Sequence, residues 1–164
     1  MRATFRFRLV ALGLVVLASL LGLPGGTLAA KPPPAEVDGV AFSLPTAETG
    51  CGFQVDLVVT GKAAQIDLPD GRTLFTSPGL DVVVTNHDTG AAISLNITGA
   101  AHVAATADDG SVTWVATGRN LLWGGVEDAL VLTRGRFTWT FFSNGTVSPQ
   151  AGTGSKTDVC ALLS

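Results

Sequence analysis

The sequence has no tyrosine, two histidines, two cysteines and three lysines among its 164 residues. A metal centre built on histidine is excluded, because a bound metal needs three or four ligands and no third histidine exists. The chain has few lysines and more acidic than basic residues, so it lacks the basic surface that binds phosphate backbones. Nucleic acid is therefore not an expected partner. A lipid anchor is excluded as well, because Cys51 is the first cysteine and lies far downstream of the N-terminal apolar stretch.

Motifs of catalysis are also missing. The chain has no Gly-x-Ser-x-Gly elbow of the kind that presents a nucleophilic serine in hydrolases. Asp108–Ser111 has the start of a calcium loop but neither its third acid nor its distal glutamate, so a hairpin turn is expected there. Gly152–Lys156 lacks the spacing of a phosphate loop and is interpreted as a flexible loop before the last strand. No catalytic residue, no cofactor and no metal are predicted.

The N-terminus is an export signal. Residues 1–8 carry three arginines and no acid, and residues 9–23 form a 15-residue stretch without charge. A membrane span needs about 20 apolar residues, so this stretch is too short for one. Small residues follow as far as Ala30, which predicts a signal peptide over 1–30 that is cleaved near Ala30. The predicted product is secreted into the extracellular medium and has no membrane span.

Cleavage changes the charge of the protein. Loss of the three N-terminal arginines leaves 7 basic against 13 acidic residues, a formal charge of −6 instead of −3. A proline-containing lead-in is predicted over 31–50, in which Val37 to Leu44 either forms an edge strand or lies loosely over the domain. A single β-domain is predicted over 51–164. In an exported protein two cysteines predict a bridge, here between Cys51 and Cys160.

A period of two residues dominates the domain. Val55, Leu57 and Val59 alternate with more polar neighbours, and the same alternation recurs in four further segments that are expected to be strands. Asp-Gly and Asn-Gly pairs separate these segments and favour tight hairpins. Residues 120–129 are the one expected place for a helical turn. The predicted fold class is all-β, a single antiparallel meander forming a closed or nearly closed barrel, with a two-sheet β-sandwich as the alternative.

Several segments resemble an uncharacterised family of small secreted actinobacterial proteins. The segments that carry the resemblance are Cys51–Phe53, Gly71–Gly79, Asn96–Gly99, Asp109–Ser111 and Asp158–Leu162. They keep cysteines and glycine turns in the same order over most of residues 51–163. The resemblance implies a secreted β-domain without an assigned activity, so it transfers no functional residue.

The aromatic residues are the candidate contact residues. Trp114 and Trp139 share the inward parity of their strands, which predicts core positions or, alternatively, the lining of a cavity for an apolar ligand. Trp123 lies beside a predicted loop, and Phe142 is expected on an outward face. These four residues are the predicted ligand or contact residues.

Three functions remain open from the sequence. The first is a secreted, non-catalytic binding or interaction module of unknown partner. The second is a lipocalin-like carrier of a small apolar ligand, which requires a roomy interior. The third is a hydrolase whose site would draw on His87 or His102 with a carboxylate and a hydroxyl, although both histidines are expected on the solvated surface.

Overall fold

A computed structural model describes residues 33–124 and 130–164 of the chain. In these ranges it contains nine strands and two helical turns, α1 over Thr46–Thr49 and α2 over Val159–Leu162. The strands are β1 Ala35–Leu44, β2 Val55–Asp67, β3 Thr73–Thr76, β4 Asp81–Asn86, β5 Ala92–Asn96, β6 Gly99–Thr106, β7 Val112–Leu122, β8 Val131–Phe141 and β9 Ala151–Asp158. The predicted signal peptide over 1–30 lies outside the described residues.

All pairings between these strands are antiparallel, which confirms the all-β prediction. The order in the sheet is β5-β4-β2-β3-β6-β7-β8-β9, and β1 pairs with β2. β4 pairs with the first half of β2, and β3 pairs with its second half. On the far side of these two short strands, β5 pairs with β4 and β6 pairs with β3. The chain therefore runs as a meander of long strands, some of which are interrupted partway.

Alternation along the strands places the core as the sequence predicts. Val55 and Leu57 of β2 are fully buried, as are Val82 and Val84 of β4, and Leu57 lies directly opposite Val84. Branched side chains pack well on a pleated surface, and each one removed from water contributes about 1.5–3 kcal/mol. The same cluster includes Leu130 before β8, so both ends of the sheet contribute to one core.

The sheet is open, and the prediction of a closed barrel is not confirmed. Among the described strands, the order ends at β5 on one side and at β9 on the other, and β9 pairs only with β8. Closure was expected because a bridge brings the first and last strands together. In the structure α2 ends the chain instead, and its Val159 lies in the core together with Leu163. Because α2 and Leu163 supply apolar surface at this end of the core, burying it does not require the strand ends to pair.

Glycines face each other across four neighbouring strands. Gly99, Gly118, Gly135 and Gly154 form a row of directly opposed pairs across β6, β7, β8 and β9. A Cβ atom on Gly135 would overlap the carbonyl oxygen of Thr153 on the neighbouring strand. The row thus lets four backbones approach more closely than side chains allow, as glycine inside a strand permits.

The predicted disulfide is present between Cys51 and Cys160, whose Cα atoms are 5.1 Å apart. Cys160 lies in α2 rather than in a strand. The preceding segment Gly152–Lys156, expected as a flexible loop, is part of β9. Ladder pairing with β8 overrides the low strand propensity of its glycines.

Buried polar bonds hold the ends of the chain in place near the bridge. The Asn86 side-chain amide donates to the Leu163 carbonyl at 3.0 Å, and the Leu130 amide donates to the Thr49 carbonyl at 2.8 Å. Both Asn86 and Thr49 are buried. These bonds satisfy polar groups that would otherwise cost free energy in the core.

Two further predictions concern the segment from Val37 to Leu44 and a helical turn over 120–129. Of the two alternatives for Val37 to Leu44, the structure has the edge strand, because β1 pairs with β2 from Ala35 onward. The helical turn expected over 120–129 is not found in its described part, where β7 continues to Leu122, and residues 125–129 lie outside the described ranges. No helix in the described part of the chain has the length and apolar character to cross a membrane.

Candidate functional site

Two of the four predicted contact residues meet on one face of the sheet. Trp114 of β7 and Trp139 of β8 are directly opposed, and their rings stack with centroids 6.4 Å apart and planes 12° apart. Both side chains are partly exposed. Offset stacking of this kind stabilises a pair by about 0.5–1.5 kcal/mol beyond the area that it buries.

A third ring extends this pair. The Phe75 ring of β3 lies 6.0 Å from the Trp114 ring. Register explains the contact: Phe75 opposes Ala101 of β6, and Val103, two residues further along β6, opposes Trp114. Because residues two apart on a strand share a face, all these side chains point to the same side. We call Phe75, Trp114 and Trp139 the aromatic ladder.

A groove of about 390 Å³ adjoins the ladder at its Phe75 end. Small side chains on β6 leave room for it, while the turn before β3 forms its other wall. The residues that line the groove are Gly71, Arg72, Thr73, Phe75, Val103, Ala104, Ala105 and Thr106. The volume is in the range of small-molecule sites, but the groove opens to solvent.

Polar groups border the ladder on the neighbouring strands. Gln65 of β2 opposes Phe75, and Asp67 opposes Thr73, so these side chains share the face of the ladder. Asp67 accepts hydrogen bonds from the Thr73 hydroxyl at 2.9 Å and from the Gln65 amide at 3.4 Å. We call Gln65, Asp67, Thr73 and the Asp70–Arg72 pair described next the polar rim.

The Asp70–Arg72 pair is an ion pair in the turn between β2 and β3. The Arg72 guanidinium donates to Asp70 from Nε at 2.8 Å and from a terminal nitrogen at 2.7 Å. These bonds lower the pKa of Asp70 and raise the pKa of Arg72. At neutral pH both groups are charged, and the planar guanidinium is held at the wall of the groove.

The other two predicted contact residues lie elsewhere. The Trp123 ring is 6.4 Å from the Phe42 ring of β1, and both pack against the core. Trp123 therefore lies against β1 and the core, and its role as a contact residue stays a prediction. Phe142 is 41% exposed just after β8, next to the turn at Asn144-Gly145, as its outward parity predicted.

A polar cluster centred on Asp56 lies on the outer surface. His87 Nδ1 is 2.7 Å from one Asp56 oxygen, and the Ser43 hydroxyl donates to the other oxygen at 2.5 Å. The Gln54 amide donates to the same carboxylate at 3.2 Å. The Ser43 bond, with those of His87 and Gln54, lowers the pKa of Asp56 to about 2, and the bond to Asp56 raises the pKa of His87.

This cluster lacks the arrangement of a hydrolase. A nucleophilic triad places the hydroxyl on the histidine ring, which then takes its proton. Here the Ser43 hydroxyl bonds to Asp56 instead, and within the described residues no serine or threonine hydroxyl bonds to the His87 ring. Asp88 is adjacent to His87 in the sequence, but the carboxylate that the His87 ring contacts is that of Asp56. His102 lies apart, partly buried in β6.

The remaining motifs form ordinary turns and strands. Asp109 accepts bonds from the amide and the hydroxyl of Ser111, both at 2.9 Å, as an aspartate in a hairpin turn does. In the described ranges, no group of three histidine, cysteine or acidic side chains is placed to hold a metal ion.

Sequence reasoning missed Phe75 and the polar rim. At four residues, Thr73–Thr76 is too short to stand out, and its two apolar residues are adjacent instead of alternating with polar ones. Contact between Phe75 and Trp114 depends on the register of two pairings, that of β3 with β6 and that of β6 with β7. Such register depends on hairpin lengths that the sequence does not state.

Comparison with known proteins gives no relative. No protein-family model, no curated protein and no solved structure matches the chain. The resemblance to secreted actinobacterial proteins therefore stays a prediction. The surface of the protein is the remaining source of information on its function.

Proposed function

We propose that this protein is an exported, non-catalytic binding module whose binding surface is the aromatic ladder with its groove. One observation carries the proposal: three partly exposed rings, Phe75, Trp114 and Trp139, touch in sequence on one face beside an open groove. Trp123 is also partly exposed, but it packs against Phe42 and the core and does not join the row of rings. Aromatic side chains on an accessible surface are typical anchors of recognition.

Export is the second part of the proposal. The disulfide between Cys51 and Cys160 fits an oxidising compartment, since such bridges persist outside the reducing cytosol. The signal pattern over 1–30 supplies the route. Intact mass of protein recovered from the culture medium of a bacterial host tests it: we expect loss of about the first 30 residues. Recovery of the full-length chain from the membrane fraction would contradict export.

An interior carrier is less well supported than a surface module. The core cluster within the described residues is filled by side chains from both ends of the sheet, such as Leu57, Val84 and Leu130. A lipocalin-like carrier needs a cavity inside a closed barrel, and the sheet is open. A ligand would therefore meet the protein on its face.

A neutral fluorescent probe, N-phenyl-1-naphthylamine, tests binding on the ladder. We expect saturable fluorescence enhancement with the wild type and a loss of at least tenfold in affinity with Trp139→Ala. Trp123→Phe is the matched control and should bind as the wild type does, because Trp123 contacts the core instead of the ladder. Equal binding by wild type and Trp139→Ala would place the site elsewhere, and circular dichroism of each variant shows that it is folded.

A further inference from the structure

We infer that the ligand of the aromatic ladder is a neutral oligosaccharide, an inference that rests on the binding surface proposed above. A pyranose ring has an apolar C–H face and a polar edge of hydroxyl groups. The ladder with its polar rim presents both complements side by side on one sheet face.

The apolar complement is the row of rings. Phe75, Trp114 and Trp139 follow one another at centroid distances of 6.0 and 6.4 Å across strands β3, β7 and β8. The row extends across the strands, so it suits a chain of several sugar rings rather than one compact molecule. Phe75 joins the row to the groove, which continues past Val103 toward Thr106.

The polar complement is the rim. It combines the amide of Gln65, the carboxylate of Asp67, the hydroxyl of Thr73 and the guanidinium of Arg72. Planar groups that donate or accept two bonds at once match pairs of neighbouring hydroxyls. These four groups already bond to partners in the rim, which holds them in place before a ligand arrives and reduces the entropy lost on binding.

The open shape of the groove and the charges of the polar rim narrow the class of ligand further. A purely apolar ligand is best held in an enclosed cavity, whereas this groove is open and has charged groups at its wall. Asp67 and Asp70 both lie in the rim, so an anionic polysaccharide would be repelled there. A neutral sugar chain avoids that cost and can still bond to the Arg72 guanidinium.

The test is isothermal titration of the full mature chain with cellohexaose, maltohexaose and chitohexaose. We expect saturable binding of at least one hexaose, weakened at least tenfold in Trp139→Ala and in Arg72→Met. Arg72→Met keeps a long side chain but removes the donors, so binding of N-phenyl-1-naphthylamine should stay within twofold of the wild type. Trp123→Phe again serves as the control for the core.

Each outcome separates the two proposals. If none of the three hexaoses binds while the naphthylamine probe binds and is lost in Trp139→Ala, the saccharide inference is overturned and the binding surface stands. If neither class of probe binds, both are overturned. If a hexaose binds equally well to the wild type and to both variants, the sugar site lies away from the ladder.

Discussion

At the Asp56 carboxylate, three donors from separate parts of the chain meet on the protein surface. Ser43 comes from β1, Gln54 precedes β2, and His87 follows β4. The cluster therefore connects β1 to β2 and to the end of β4, and the bonds from Ser43 and His87 are exposed. Surface contacts of this kind contribute little singly, so their signature is the dependence of stability on pH.

We expect the stability difference between wild type and Asp56→Asn to be largest between about pH 4 and 6. The pKa of Asp56 is lowered in the folded state, so its contribution is present above 3.8 and lost as the pH falls through about 2. The pKa of His87 is raised, so its contribution is present below 6.5 and lost as the pH rises through the raised value. Urea unfolding at pH 5 and pH 9 measures the His87 contribution, and unfolding at pH 2 and pH 5 measures that of Asp56.

In the Asp56→Asn variant, the pKa of His87 followed by NMR should fall toward 6.5. Asp38→Asn is the control, since Asp38 is exposed on β1 and takes no part in the cluster. An identical stability gap at pH 5 and pH 9 would show that the ion pair is absent in solution.

Among the elements, β8 and β9 depend on a close approach of their backbones. Gly135 has a φ of +136°, and a Cβ atom there would overlap the Thr153 carbonyl across the pairing. The pairing of β8 with β9 therefore tolerates no side chain at Gly135, because relief of the overlap requires the two strands to separate. The opposed glycines allow the two backbones to lie this close together.

We expect Gly135→Ala to lower the free energy of unfolding by about 3 kcal/mol or more, through the positive φ and the overlap together. Gly145→Ala is the matched control: Gly145 also has a positive φ, of +86°, but nothing lies within 4 Å of its added Cβ. That variant should lose only about 1–2 kcal/mol. Urea denaturation compares the two, and equal losses would mean that backbone conformation alone decides.

For the whole molecule, the disulfide connects residues 109 positions apart and closes almost the entire described domain. Cross-linking a loop of about 100 residues removes unfolded-chain entropy worth up to about 4.7 kcal/mol. The bridge lies where α2 meets the segment after α1, next to the buried Thr49. It thus supports the open end of the sheet, where β9 lacks a second partner strand among the described residues.

We expect the double variant Cys51→Ala/Cys160→Ala to lose about 2–5 kcal/mol of unfolding free energy, measured by urea denaturation. The reduced wild type should show a similar loss, which serves as the control for the packing effect of the alanines. If reduction leaves the unfolding midpoint unchanged, the bridge does not constrain the unfolded chain as expected. Binding of the naphthylamine probe should persist in the folded variant, because the ladder lies away from the bridge.

The sequence by itself determined the class of the fold and the sides of its strands. Alternation such as Val55-Asp56-Leu57 has one physical solution, a strand with one face in a core, and the structure has it. Two cysteines gave one possible bridge, which is present. A strand pattern is local, and two cysteines allow a single pairing. Neither prediction therefore needs knowledge of the global arrangement.

Only the tertiary structure decided whether the sheet closes and which side chains meet. Closure depends on how α2 and Leu163 fill the end of the core, a long-range packing choice that strand patterns do not record. Contact between Phe75 and Trp114, and between His87 and Asp56, depends on the register of strands far apart in the chain. A shift of one residue in any of those pairings would turn the side chains to the opposite face, so the aromatic ladder exists only in the folded sheet.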